Sequence, residues 1–308
     1  MIIIGCSFHV FYCLLTGANY GHLHFQSLVV FLISSLFLSY RSILAQKGDF
    51  YLFWAFAIFT ACFMWLSYDL MGDIDRGLGG LTRLDPFFAD LDRVVFGMPV
   101  ANFLMGFFPK DSLGTSLFYD LLMMSYMSFY LWIFFGMLLI YQKLGMLRRK
   151  AVGVYCLSFI IFFAVNFSFY LIIPVSGPQY YLKQAFFEGL PFTWLGQFFY
   201  NFVGNAQTTF IDCFPSGHTG TIVLVAIWMH QLKLPFRFVT NGFVFLIISA
   251  TLFLRFHYTL DVIVAVPLAF ASYHLCATYL YPNFAVQSQE DREEEKVASS
   301  TNNVQSEL

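Results

Sequence analysis

The 308 residues are 59% hydrophobic, 21% aromatic and only 11% charged, with a mean hydropathy of +0.69. Soluble domains carry about 25% charged residues, so the charged side chains here cannot cover a water-facing surface, and most of the chain must meet lipid. The 16 Lys and Arg against 18 Asp and Glu, a net charge of −2, exclude the basic footprint of a nucleic-acid binder.

The chain opens on an apolar run, Ile2 to Leu15. It lacks a basic leader and a small-residue cleavage site, so it is expected to stay as a membrane segment. A hydrocarbon core of about 30 Å takes about 20 helical residues, and only helices or closed barrels satisfy their backbone groups there. Continuous apolar runs exclude the barrel. The further runs are Gln26 to Tyr40, Phe50 to Leu70, Leu113 to Tyr141, Ala151 to Ile173, His218 to His230, Phe236 to Leu254 and Leu260 to Tyr281. Together they predict an all-α, polytopic transmembrane bundle of about eight spans, or seven if the short first run does not cross. The run at His218 is short and is expected to borrow Pro215 to Gly217 for its first turn. No internal repeat appears, which speaks against the duplicated halves of secondary transporters. The natural divisions are 1–112, with N-terminal spans and an outer interfacial loop; 113–281, a membrane core; and 282–308, whose six acids and two bases among Ser, Asn and Gln read as a disordered tail.

Eight spans from a cytoplasmic N-terminus place 41–49, 142–150 and 231–237 on one side, with eight Lys and Arg. The other side holds six: Arg76, Arg83, Arg93, Lys110, Lys183 and Arg255. The positive-inside rule makes the first side cytoplasmic, together with both termini. A site is then expected on the outer face, in the long loops 71–112 and 174–215. The stretch LDRVVFGMPVANFLMGFF suits an interfacial helix. The loop acids Asp69, Asp73, Asp75, Asp85, Asp90 and Asp92 read as solvated, with Asp73 and Asp75 the weak hint of a metal-dependent sugar transferase. Cys6, Cys13, Cys62, Cys156, Cys213 and Cys276 show no CxxC spacing and read as buried small hydrophobes.

Of seven histidines, His9, His22, His24, His230 and His274 have no context that assigns a role beyond packing. His218 lies in Cys213-Phe214-Pro215-Ser216-Gly217-His218-Thr219, where small residues open an apolar helix. Such an entry presents free amides and the positive end of the helix dipole to an anion. His257 precedes Asp261 by four residues, one face of a helix. A carboxylate there can fix the imidazole tautomer and leave the second nitrogen free as nucleophile or base. It can equally be a helix cap and no more. Both histidines fall at outer helix ends separated by two spans and a short loop, which brings them together.

CFPSGHT, then RFHYTLDV some forty residues on, with GPQYY before them, resembles the type 2 phosphatidic acid phosphatase superfamily over roughly 113–281. The resemblance implies a six-helix core in which His257 attacks phosphorus, Asp261 holds and activates it, and His218 protonates the leaving oxygen. Lys183, Ser216, Gly217 and Arg255 are the expected phosphate-binding residues, and neither metal nor cofactor is implied. Phosphatase members begin the core with a Lys and an Arg-Pro pair and carry an Arg six residues before the nucleophile. Here Thr251 fills that slot, Arg255 stands two residues before His257, and Lys183 is the one base in 174–215. So little cationic cover suits a singly charged phosphodiester better than a phosphomonoester dianion. In this the sequence is similar to the lipid phosphotransferase branch of inositol phosphorylceramide synthase and sphingomyelin synthase, to whose bacterial relatives LDRVVFG also bears a likeness. The expected reaction moves a phosphoryl or phospho-headgroup between a phosphorylated lipid and an alcohol; water as acceptor gives the hydrolase. The scarcity of ionisable groups inside spans weighs against a lipid or ion carrier.

Overall fold

The computed structural model describes residues 48–280 apart from 79, 110–111, 145–147, 187–188 and 208. The expected spans before Gly48 and the acidic tail lie outside the described residues. Among those described, the chain is helical without a strand; one isolated parallel bridge joins Val175 to Asp212.

Helix α1 (Gly48–Gly77) runs seven residues past the expected end of its apolar run, into what the sequence reads as loop. Arg83 holds Asp75 through both carboxylate oxygens, at 2.9 and 2.8 Å, and the Leu81 amide adds a third bond at 2.8 Å. The interfacial helix expected over 91–108 is instead two pieces, α2 (Asp85–Phe96) and α3 (Val100–Met105). They are parted at Gly97, whose φ of 73° ends α2 in the left-handed conformation that glycine adopts freely.

The single span expected from Leu113 to Tyr141 is also broken. Helices α4 (Leu113–Met127) and α5 (Phe129–Lys143) meet at Ser128 with a bend of 52°. There the Ser128 hydroxyl donates to the Ser125 carbonyl at 2.7 Å, a local bond that competes with the helical ladder. Helix α6 (Arg148–Ile172) follows, then the segment 174–215, which reads as a loop in the sequence but holds α7 (Pro178–Tyr181), a 3₁₀ turn Lys183–Ala185 and α8 (Trp194–Ala206). The last three helices are α9 (Gly217–Gln231), α10 (Arg237–Phe253) and α11 (Thr259–His274), the last carried on by a π turn, Leu275–Leu280.

Among the described residues, three helices are long and apolar enough to cross a bilayer: Phe53–Gly77, Ala151–Ile172 and Thr259–Tyr279. The bent pair makes up to four, and Arg237–Phe253 is a shorter apolar helix. Helix α9 is apolar all round and, from Gly217 to Met229, is buried on every side except at His218. A helix without a polar face must be wrapped by others, and α9 packs on α5, α6, α10 and α11. Gly220 permits the closest approach: a Cβ there would stand 2.2 Å from the Phe162 ring. Lys143 Nζ donates to the Lys233 carbonyl at 3.1 Å, which joins the end of α5 to the turn after α9.

Candidate active site

Ser216 caps α9 by accepting the Thr219 amide at 3.3 Å, and its own amide donates to the Asp261 carbonyl at 3.1 Å. This ties the start of α9 to the start of α11. Asn166 of α6 adds a bond to the Pro215 carbonyl at 2.8 Å. The loop after α10 turns through Arg255, whose φ of 67° is costly for a residue with a Cβ. Its turn is held because the Thr251 carbonyl accepts both the Phe256 and His257 amides, at 3.1 and 3.0 Å. Thr251, in the slot where phosphatases carry an arginine, thus shapes the loop that aims His257.

The two loops bring the rings of His218 and His257 to 6.4 Å between centroids. His257 Nδ1 lies 2.9 Å from the Cys213 carbonyl and 3.4 Å from Asp261 Oδ2. A carbonyl only accepts, so Nδ1 carries the proton and Nε2 is the free nitrogen. The carboxylate named from sequence is therefore the more distant of two acceptors, and the nearer one is main chain. Asp261, fully buried, receives the Tyr258 amide and the Cys213 thiol on Oδ2, each at 2.8 Å. Burial, reinforced by the carboxylates of Asp261, Asp85 and Asp212, pushes the Cys213 thiol well above its ordinary value, so it stays a donor. Cys213 Sγ, His257 Nδ1 and Asp261 Oδ2 lie close enough to share a metal ion, although here they bond to one another. On the other side, Tyr126 stacks on His218 at 3.8 Å and Phe129 leans on it at 4.1 Å.

Both histidines line a cavity of about 410 Å³, within the range of small-molecule sites. It descends between α1, α5 and α6 past Met64, Ile133, Phe163 and Phe167 to Ala57, Met137 and Cys156. From Tyr68 to Ala57 is about three helical turns, on the order of 16 Å. No Lys or Arg is among the described residues lining it, and its one carboxylate is Asp212. Tyr68 and Gln207 donate to Asp212 at 2.7 and 3.0 Å, and burial still raises that carboxyl above the usual range. Of the expected phosphate-binding residues, Gly217 lines the cavity and Ser216 lies buried as the cap. Lys183 is exposed on its 3₁₀ turn, away from the lining. Arg255 turns its guanidinium over the Phe186 ring at 4.2 Å and toward Met105 Sδ at 3.3 Å, also outside the lining.

The segment 71–112 is not a fully solvated loop: Asp75, Asp85 and Asp92 are buried. Asp85 accepts the Ser176 and Gly177 amides at 2.9 Å and the Tyr258 hydroxyl at 3.0 Å, joining three segments beneath the site. Asp92 accepts the Thr259 amide at 3.2 Å, at the entry of α11. Their spacing was a legible signal: Asp85, Phe88, Ala89 and Asp92 share one helical face, and all four are buried. Cys213, likewise read as a passive hydrophobe, contacts both His257 and Asp261. Nothing in its spacing marks it, because its role depends on a loop fold.

A sequence model of the PAP2 superfamily matches residues 110–275, more than half of the chain. The chain belongs to the PAP2 superfamily. The paired histidines of this PAP2 protein lie inside the matched region. A PA-phosphatase related-family protein of Dictyostelium discoideum is 27% identical over 177 residues, 51% of this chain. The match spans 32% of that relative's own length. No solved structure matches this PAP2 chain.

Proposed function

We propose that this PAP2 protein is a lipid phosphotransferase that cleaves a phosphodiester through a phosphohistidine and passes the phospho-headgroup to an alcohol. The observation that carries the reading is the charge of the cavity: the histidines open onto an apolar chamber whose lining, among the described residues, has one carboxylate and no Lys or Arg. A phosphomonoester dianion placed there lacks a counter-charge and meets Asp212. A phosphodiester carries one charge. Three turns of apolar wall match an acyl or isoprenoid tail, which makes the substrate a lipid.

In this mechanism His257 Nε2 attacks phosphorus, the bond to the leaving oxygen breaks, and His218 gives that oxygen a proton. Asp261 and the Cys213 carbonyl hold Nδ1–H while the ring becomes cationic. The acceptor hydroxyl then gives its proton to His218 and attacks phosphorus, the P–N bond breaks, and the new diester leaves. The Gly217 amide, at the entry of α9 on the cavity wall, faces the developing oxyanion charge. The branch is that of the inositol phosphorylceramide and sphingomyelin synthases. The full chain is an eight-span bundle with a six-helix core, its site on the non-cytoplasmic face and both termini in the cytoplasm. A second reading, hydrolysis with water as acceptor, is favoured by the phosphatase name of the Dictyostelium relative.

The test is to incubate purified protein with phosphatidic acid and, separately, with phosphodiester lipids, each with and without alcohol acceptors, and to identify products by mass. A new diester from a diester donor is expected; free phosphate from phosphatidic acid alone would leave the hydrolase. His257→Ala and His218→Ala each abolish turnover on this reading, and activity kept by both variants would end it.

A further inference from the structure

We propose that Cys213 is a positioning residue for the nucleophile, acting on His257 through its carbonyl and on Asp261 through its thiol. The inference rests on the phosphohistidine reading and concerns how the nucleophile is held. Three facts carry it. The carbonyl is the nearer acceptor of His257 Nδ1, at 2.9 Å against 3.4 Å for Asp261 Oδ2. The thiol, 2% exposed at the residue level, reaches Asp261 Oδ2 at 2.8 Å and lies 3.3 Å from the Phe256 carbonyl, next to the nucleophile. Asp261 Oδ1 is buried without a hydrogen-bond partner among the described residues, so the carboxylate is oriented through Oδ2 alone. Of the groups holding Oδ2, the Tyr258 amide is main chain and fixed by α11. Cys213 is therefore the side chain that keeps the carboxylate turned toward the imidazole.

The backbone of Cys213 is itself anchored, since its amide donates to the Val175 carbonyl at 3.1 Å. A side-chain change leaves the carbonyl in place and removes only the thiol. Serine supplies the same donor on the same stem; alanine supplies none.

The experiment measures kcat and KM for Cys213→Ser and Cys213→Ala on a fluorescent diacyl phosphodiester lipid, in wild-type and Asp261→Asn backgrounds. Cys213→Ser is expected within about threefold of wild type, and Cys213→Ala to lose roughly ten- to a hundredfold in kcat at unchanged KM, the size of a small misplacement of a reacting group. In the Asp261→Asn background the alanine change is expected to cost less than about threefold, because residues acting as one unit do not add. Equal losses for serine and alanine, or additive losses with Asp261→Asn, would overturn the assignment. Thermal unfolding of each variant in detergent separates loss of fold from loss of position. A His257→Ala variant with wild-type turnover would remove the histidine reading and this inference together, whereas additivity removes only the role of Cys213.

Discussion

The phenol ring of Tyr126 lies almost parallel to the imidazole of His218, 19° between planes and 3.8 Å between centroids. Tyr126 ends the buried face of α4, just before the bend, and the stack holds the ring that, in the proposed mechanism, delivers the leaving-group proton. An aromatic face also favours a cation against it. Tyr126→Leu is expected to lower kcat about tenfold, the scale of an aromatic pair. The loss is larger on an alkyl leaving group, which needs the proton, than on an aryl one, which does not. Equal loss on both, in a Brønsted comparison, removes the link to proton delivery.

Asp85 stands under the site rather than in it. Its carboxylate holds two amides of the GPQYY segment's approach and the hydroxyl of Tyr258. Asp85→Ala leaves three donors without an acceptor, two of them buried, and is expected to cost about 2 kcal/mol or more of unfolding free energy. Asp85→Asn keeps one acceptor oxygen and recovers part of that. Denaturant titration in detergent reads both.

Burial raises the carboxyl of Asp92 above the usual range, against the bond it accepts from Thr259. A group whose pKa rises on folding stabilises the fold while protonated. That contribution is complete below the unfolded value of about 3.9 and is lost as pH climbs through the folded value. Thermal midpoints are therefore expected to fall between mildly acidic and neutral pH. The fall is smaller in Asp92→Asn, which cannot ionise; an identical pH dependence in the variant refutes the assignment.

Ala57 lines the deep end of the cavity on α1. Filling it with Ala57→Phe shortens the chamber, and turnover of long-chain lipid is expected to drop about tenfold while a short-chain analogue stays within about twofold. A uniform change across chain lengths shows that the tail lies elsewhere.

Of the helices after Leu113, those in the apolar runs could be read to within a few residues, because length and hydropathy mark them; α7 and α8 could not, since they fall in 174–215, which reads as a loop. What the runs concealed were places where one polar contact outweighs composition. Ser128 breaks a continuous apolar stretch with a single hydroxyl. Asp85 and Asp92 occupy an inward face that a count of charges assigns to water. The pairing of His218 with His257 was legible, since topology alone sets two helix ends side by side. The Cys213 contacts were not, because they arise where three loops meet. Arg255 and Lys183 were expected at the phosphate through the family resemblance; the Arg255 guanidinium lies over the Phe186 ring and Lys183 is exposed.

Helix α9 has 15 residues, a rise of about 22 Å, which is some 8 Å less than a hydrocarbon layer of about 30 Å. Were its last turn level with one set of headgroups, beside the exposed Lys233, its first turn would stop short of the other. A reacting phosphorus beside His218 would then sit below the waterline. A lipid meeting that ring would sink its polar end into the slab, and bulk solvent, the commonest competing nucleophile, would have to follow it down.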